Sequence, residues 1–134
     1  MKILLADDDT DDRWFFQDFL KHRTDVAFFP SVTDGVEVLE YLNSVEADSD
    51  FPHVIILDQN MPKLSGKETL CELKANPRYS EIAIVIYSTY TDQKLIDDCR
   101  LLGALTVQPK PVSLEGYNEM IDAILKAYAE NVFN

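Results

Sequence analysis

The amino-acid sequence predicts an α/β fold, a parallel sheet with helices packed on both faces. Three observations carry this. Five short apolar runs alternate with five longer stretches in which apolar residues recur at threes and fours, and parallel neighbours in a sheet need such helical crossovers. The clearest run, Val54-Ile55-Ile56-Leu57, is apolar at every position, as a strand buried on both faces must be. Lastly, 134 residues with 46% hydrophobic content can bury one good core and leave little room for a second. A single domain over 1–134 is expected, with its core at about 2–128 and a short tail at 129–134.

Taken in order, Lys2 to Ala6 is the first strand. Asp11 to Lys21 follows as a helix whose inner face falls to Trp14, Phe15, Phe19 and Leu20, with Trp14 packing it down. Val26 to Phe29 is the second strand. Asp34 and Glu37 have the spacing of a helix-start capping pair, with Val36, Leu39 and Leu42 at helical spacing behind them. The polar stretch from Asn43 to Asp50 then closes that helix as the most flexible loop. Val54 to Leu57 is the third strand, and Ser65 with Glu68 forms a capping box for a helix carrying Leu70, Cys71 and Leu73. Asn76-Pro77 halts it, because a residue before proline is pushed out of the helical region. Ile82 to Tyr87 is the fourth strand. From Asp92 to Leu102 a helix places Leu95, Cys99 and Leu102 on one face, and Gly103 is its natural C-terminal stop. Leu105 to Gln108 makes a short fifth strand. The last helix, after Ser113, has the plainest periodicity, at Tyr117, Met120, Ile121, Ile124, Leu125 and Tyr128.

In such a sheet ligands collect beyond the carboxyl ends of the strands, near the point where strand order reverses. What stands there is polar. The first strand ends in Asp7-Asp8-Asp9, the third in Asp58, the fourth in Ser88-Thr89, and the fifth in Lys110 between Pro109 and Pro111. Two carboxylates ~6 Å apart repel by roughly 3 kcal/mol at an effective dielectric of about 20, so they take up protons, spread apart or hold a cation. Few carboxylates, a carbonyl and waters suit Mg²⁺, which also favours phosphate oxygens. With that ion bound, Asp58 is placed to attack a phosphoryl group as an oxygen nucleophile. Mg²⁺, Lys110 and the Ser88 hydroxyl would compensate the charge on the transferred group.

A net charge of −12 argues against nucleic acid or an anionic membrane as a direct partner, since both require clustered Lys and Arg, and a basic partner is easier to accept. No apolar run approaches the length of a membrane span. Cys71 and Cys99 lack CxxC or metal-type spacing, and with no secretory leader they read as two packed thiols in a reducing cytoplasm.

Jointly, Lys2 to Ala6 leading into Asp7-Asp8-Asp9, the run Ile55-Ile56-Leu57-Asp58-Gln59-Asn60-Met61-Pro62 with Gly66, then Ser88-Thr89, then Lys110-Pro111, resemble the receiver domain of two-component response regulators, of the single-domain chemotaxis type. The likeness covers about residues 2 to 128, and its specificity lies in the joint spacing of four motifs. It implies a flavodoxin-like (βα)5 three-layer sandwich with strand order 2-1-3-4-5. It also implies that Asp58 accepts a phosphoryl group from the phosphohistidine of a sensor histidine kinase or phosphotransfer protein. Asp8 and Asp58 would ligate Mg²⁺ directly, with Mn²⁺ able to substitute, Asp7 would act mostly through water, and Asn60 would offer its backbone carbonyl. Ser88 matches the switch hydroxyl and Lys110 the phosphoryl-contacting lysine. Movement of that hydroxyl toward phosphate would alter the face of the fourth helix, fifth strand and fifth helix, which meets a downstream protein or a second copy in a homodimer. Such a protein is a switch that catalyses only its own phosphorylation and autodephosphorylation, the latter tuned in the family at the positions of Asn60 and Tyr90.

The chain departs from the pattern in places. The switch aromatic of strand five falls at Val107, which has no ring to turn inward. Pro109 stiffens the strand and removes a backbone donor. The Lys110-Pro111 bond is expected to be cis by resemblance.

Plainer assignments compete. Five acids in the six positions from Asp7 to Asp12 can solvate a loop and favour the positive end of a helix, but the matching Asp58 speaks against that alone. A calcium loop on Asp7, Asp9 and Asp11 fails at Asp12, where glycine is needed, and at Asp18, where glutamate is. His22 and His53 have no partner at ligand spacing and read as solvated or capping. An Mg²⁺-dependent phosphohydrolase would want a second acid beside Asp58, where Gln59, Asn60 and Met61 stand. A docking module that is never phosphorylated would not need the intact acids, Ser88 and Lys110. Phe133 fits either a packed terminus or a dimer contact. With Asn134 ending the chain soon after the last helix, a stand-alone receiver is expected.

Overall fold

The computed structural model describes residues 1–133, with side chains through Asn131. The Phe133 side chain and Asn134, including the question of a packed or dimeric terminus, lie outside the described residues. The strands are β1 (Lys2–Ala6), β2 (Ala27–Phe28), β3 (Val54–Asp58), β4 (Ala83–Ser88) and β5 (Thr106–Pro109), all parallel in the order β2-β1-β3-β4-β5. Between and after them run α1 (Thr10–Leu20), α2 (Gly35–Ser44), α3 (Gly66–Ala75), α4 (Gln93–Leu101) and α5 (Leu114–Phe133). This is the flavodoxin-like three-layer arrangement that the sequence led us to expect.

Side-chain alternation divides the core in two. Ile3, Leu5, Val54, Ile56, Val85 and Tyr87 face α1 and α5, where they meet Phe16, Leu20, Tyr117, Ile121 and Ile124. Leu4, Ala6, Ile55, Leu57, Ile84 and Ile86 face the other way, onto Val38, Leu42, Leu70, Leu73 and Cys99. Each fully buried Leu, Ile or Val contributes about 1.5–3 kcal/mol, against roughly 1 kcal/mol for a helix cap. Burial in the central strands therefore sets the fold, and the caps set where helices begin. Asp34 accepts from Glu37 N and starts α2, while Ser65 and Glu68 complete the capping box of α3. Gly103, at φ 101°, ends α4 in the left-handed conformation expected of it.

Several local expectations are corrected. On α1 Leu20 and half-buried Phe19 face the core as expected and Phe16 joins them, whereas Trp14 is 57% and Phe15 37% exposed. Asp9 caps this helix through Asp12 N; residues four apart share one face, and here that face meets the core, where Phe16 packs edge-to-face with Phe28 and Tyr117. Likewise α2 buries Val38 and Leu42, with Val36 only half-buried. Cys99 is buried, but Cys71 is exposed, because it sits a helical step from the buried Leu70 on α3. Asn43 and Ser44 belong to α2, and Asp48–Asp50 form a 3₁₀ turn held by Arg78, so the predicted flexible loop has regular structure at both ends and only residues 45–47 are irregular. β2 keeps only Ala27 and Phe28 of its predicted span. Residues 129–133 continue α5 rather than forming a tail.

Strand order reverses between β1 and β3, since β1 connects outward to β2 on one side and lies against β3 on the other. The loops after β1 and β3 therefore leave in different directions and open a crevice. One close contact fixes its floor. A Cβ on Gly66 would lie 2.7 Å from the Asp58 carbonyl oxygen and 3.0 Å from Gln59 Cα, both backbone atoms that cannot swing aside. Gly66→Ala is expected to lower stability by about 1–3 kcal/mol, the usual range for overpacking. Urea denaturation checks this, and an unchanged midpoint would show that the β3 end can shift freely.

Candidate functional site

The register that pairs Ala6 with Leu57 and Asp58 with Tyr87 lines up the ends of β1, β3 and β4. Paired residues in parallel strands point to the same side of a sheet, so Asp7, Asp58 and Tyr87 share the α1/α5 side. Asp7 and Asp58 are buried at 0% and 3% exposure, while Asp8 stands in solvent. One carboxylate oxygen from each of Asp7, Asp8 and Asp58 can be chosen so that all lie within 4.8 Å of one another. Lys110 leaves the end of β5 and brings its ammonium to 3.2 Å from both Asp7 Oδ2 and Asp58 Oδ2. Asn60 donates its backbone N–H to Asp58 Oδ1 at 3.2 Å. Asp8, Asp12, Asp58, Asn60, Thr89 and Lys110 are among the residues lining an open pocket of about 560 Å³, and Asp7 lies buried behind it.

Ser88 takes a different place from the others. It is buried next in chain to Tyr87, its hydroxyl accepts from Tyr90 N at 3.3 Å, and its carbonyl accepts from Lys110 N at 2.9 Å. The hydroxyl residues that line the open pocket are Thr10 and Thr89. Gln59 uses its side-chain oxygen to accept from Lys67 N at 2.9 Å, which satisfies a donor in the first turn of α3, and Tyr90 is 73% exposed. His53 accepts from Lys2 N through Nδ1, the capping role expected of it.

Three contacting side chains escaped the sequence. Asp12 accepts from Lys110 Nζ at 2.7 Å, closer than either buried acid. Its signal is spacing, since it lies four residues after Asp8, on the side of α1 nearest the strand ends. Tyr87 donates its hydroxyl to Asp7 Oδ2. Strand alternation could have found it, because it has the parity of Val85 and the rank of Asp58. Arg13 donates to the Asp7 carbonyl at 2.7 Å, for which the sequence holds no signal. The Lys110-Pro111 peptide is trans, like every other peptide bond described, and not cis. Trans is the lower-energy isomer of an X-Pro bond by about 0.5–1 kcal/mol, and with it Lys110 reaches all three carboxylates. Val107 is half-buried and packs on the α2–α4 side of the sheet, the side opposite Tyr87.

Electrostatics make Asp58 the unusual group. Burial, then the neighbouring charge of Asp7, push its carboxyl up to about 7, and Lys110 and the Asn60 amide offset this only in part. Burial pulls the Lys110 ammonium down, but the Asp12 hydrogen bond and the charges of Asp7 and Asp58 outweigh it and leave the pKa raised. One ammonium thus serves three carboxylates. The surplus of negative charge, with oxygens of three acids gathered together, is what a hard divalent cation fits.

Comparison with known families matches residues 3–123 to the response regulator receiver domain. The chain belongs to that family. The receiver is 34% identical to response regulator Rcp1 of Synechocystis over 132 residues, which cover 97% of this chain and 90% of that protein. The crystal structure of the Mn²⁺-bound form of Rcp1 superimposes with a TM-score of 0.74 at 29% identity, covering 92% of this chain and 90% of that one. The phosphorylated cyanobacterial phytochrome response regulator RcpA gives 0.80 at 27% identity, with 97% and 94% covered. As a receiver the protein is a signalling switch, and its acidic cluster fits divalent metal binding. No helix among the described residues is long and apolar enough to cross a membrane.

The raised Asp58 carboxyl has a stability consequence. In the folded receiver it keeps its proton up to about pH 7, whereas in the unfolded chain it loses it near pH 4. Between those values the folded state binds more protons, so stability falls as pH rises and the loss is complete above about pH 7. Below about pH 4 both states are protonated and the effect vanishes. In chelator at about pH 8, Asp58→Asn is therefore expected to be more stable than wild type by roughly 1–3 kcal/mol, with the curves converging toward pH 4. Urea titrations across that range check it. Parallel curves at every pH would contradict the shift.

Proposed function

We propose that this receiver accepts a phosphoryl group on Asp58 from the phosphohistidine of a histidine kinase or phosphotransfer protein, in the presence of Mg²⁺. The observation that carries this is the Lys110 ammonium bridging Asp58 and Asp7 within one acidic crevice at the switch point of the sheet. Asp8, Asp58 and the backbone carbonyl of Asn60 would hold the ion, with Asp7 behind them acting through water. When bound, the ion neutralises part of the acidic charge and the charge on the phosphoryl oxygens. Mn²⁺ would substitute for it.

The protein's own groups do the rest. Asp58 must attack as an anion, and Lys110 favours that form through its 3.2 Å contact with Oδ2. The new bond joins an Asp58 oxygen to phosphorus while the P–N bond of the phosphohistidine breaks, and the electron pair of that bond leaves with the imidazole. Once Asp58 carries the phosphoryl group as an acyl phosphate, Lys110 is free to pair with the phosphoryl oxygens instead of a carboxylate. Ser88 and Thr89 are the hydroxyls close enough in chain to follow the new charge, and Ser88 must give up its contact with Tyr90 N to do so. That exchange ties the chemistry to the loop before α4. The face of α4, β5 and α5, where Leu101, Val112 and Leu114 are exposed, is the proposed contact for a downstream protein or a second copy. The output uses no ring at Val107. Uptake and slow hydrolysis are its own only catalysis, and a single cytoplasmic receiver domain without direct nucleic-acid or membrane contact suits the net charge of −12.

A phosphohydrolase acting on small esters is disfavoured because Gln59, Asn60 and Met61, after the nucleophile, supply no acid as proton donor. Incubation with Mg²⁺ and acetyl phosphate, read by intact-protein mass spectrometry, is expected to add one phosphoryl group to wild type and none to Asp58→Asn. Lys110→Ala is expected to slow the gain about a hundredfold, the usual cost of losing one charge-stabilising donor. An equal gain in Asp58→Asn would place the acceptor elsewhere, and rapid turnover of many phosphate esters would favour the hydrolase.

A further inference from the structure

Resting on that reading of the site, we propose that Tyr87 is a positioning residue for the metal: its phenol hydroxyl fixes the Asp7 carboxylate in the orientation that completes the cation site. Tyr87 is fully buried at the end of a strand whose preceding residues, Ile84, Val85 and Ile86, are all aliphatic. A phenol in such a place costs about 1–3 kcal/mol if its hydroxyl goes unpaired. An aliphatic side chain would carry no such risk. Here the hydroxyl is paired, and its partner is an anion.

Asp7 is gripped at each oxygen. Oδ1 accepts from Asp9 N at 2.9 Å, and Oδ2 takes the Tyr87 hydroxyl and lies 3.2 Å from Lys110 Nζ. At 0% exposure it has no solvent to turn toward, so these donors decide its orientation. Tyr87 also lies beneath the ammonium itself, with Lys110 Nζ 5.0 Å from its ring centroid, within cation–π range. One side chain therefore braces both the acid and the lysine.

The choice of a phenol has a physical reason. A second lysine or an arginine at this position would offset the repulsion between Asp7 and Asp58, but its positive charge would also repel an incoming cation. A neutral donor stabilises Asp7 as an anion and leaves its full charge for the metal. Burial and the Asp7 charge raise the phenol pKa, so the hydroxyl remains a donor. Partners of metal-site acids in this outer position typically change metal affinity by about 10–100-fold when removed.

The test is Mn²⁺ affinity measured by electron paramagnetic resonance on the whole protein, without a phosphodonor. Tyr87→Phe is expected to weaken binding about tenfold. The same substitution in an Asp7→Asn background is expected to have no further effect, because the hydroxyl acts through that carboxylate. A role confined to packing would give equal weakening in both backgrounds, and this outcome overturns the proposal, as does unchanged affinity in Tyr87→Phe. Should that variant fail to fold, the wild-type protein still decides. A slowly exchanging Tyr87 hydroxyl proton should appear in its NMR spectrum and vanish in Asp7→Asn, and its absence from wild type contradicts the bond. Wild type that binds no Mn²⁺ refutes the metal site itself and the inference with it. Wild-type binding with unchanged Tyr87→Phe affinity refutes only the role of Tyr87.

Discussion

Two buried carboxylates facing the same side of a sheet, with one ammonium between them, set the terms for this receiver. Asp7 and Asp58 stand at the ends of neighbouring strands, and Lys110 contacts both at 3.2 Å while also serving Asp12. Attraction to one cation cannot cancel the cost of burying two anions close together. Asp58 therefore sits near the boundary between neutral and ionised. A second positive charge would resolve this, and the site leaves that charge to be brought from outside. The pH dependence and the fit to a divalent cation follow from the same imbalance.

Such an arrangement is unstable in isolation, and the rest of the fold opposes its spreading. The strands beneath the site are fully buried at Leu4, Ala6, Ile55, Ile56, Leu57, Val85 and Ile86. Their register holds Asp58 beside Tyr87 and carries Asp7 to the same level. From the flanks, Gly66 lets α3 press against the Asp58 backbone, and the Asp9 cap fixes how α1 presents Asp12. The core thus supplies the rigidity that two like charges would otherwise undo. Phosphorylation at Asp58 would redistribute Lys110 among its partners, and the Ser88–Tyr90 contact, at the start of the loop leading to α4, would be the place where that change enters it.

Much of this was legible in the sequence because it depends on local pattern. Apolar runs marked the strands to within a residue or two, and Ser65 with Glu68, Asp34 with Glu37, and Gly103 announced helix ends through hydrogen bonds made within a few residues. Asp7, Asp8, Asp58 and Lys110 were found because strand ends in a parallel sheet converge. What was missed depends on phase and on tertiary choice. The size of Trp14 and Phe15 suggested burial, yet packing against Phe28 and Tyr117 selected Phe16 and left those two toward solvent. Tyr87 looked like one more apolar strand residue until alternation placed its hydroxyl against Asp7. Lys63 adopts φ 68° in the loop after β3, a conformation its side chain does nothing to advertise. The cis Lys110-Pro111 bond was carried over from resemblance and is absent, since no local feature of this chain demanded it.

Burial and Asp7 hold the Asp58 carboxyl near neutrality, and a divalent cation would release it to act as an anion. The carboxyl ¹³C resonance of Asp58, followed by NMR through a pH titration in chelator and again with saturating Mg²⁺, measures this directly. A midpoint near 7 is expected without metal, with a clear fall when Mg²⁺ is added. A midpoint near the ordinary value of about 4 in chelator, unmoved by Mg²⁺, would contradict it.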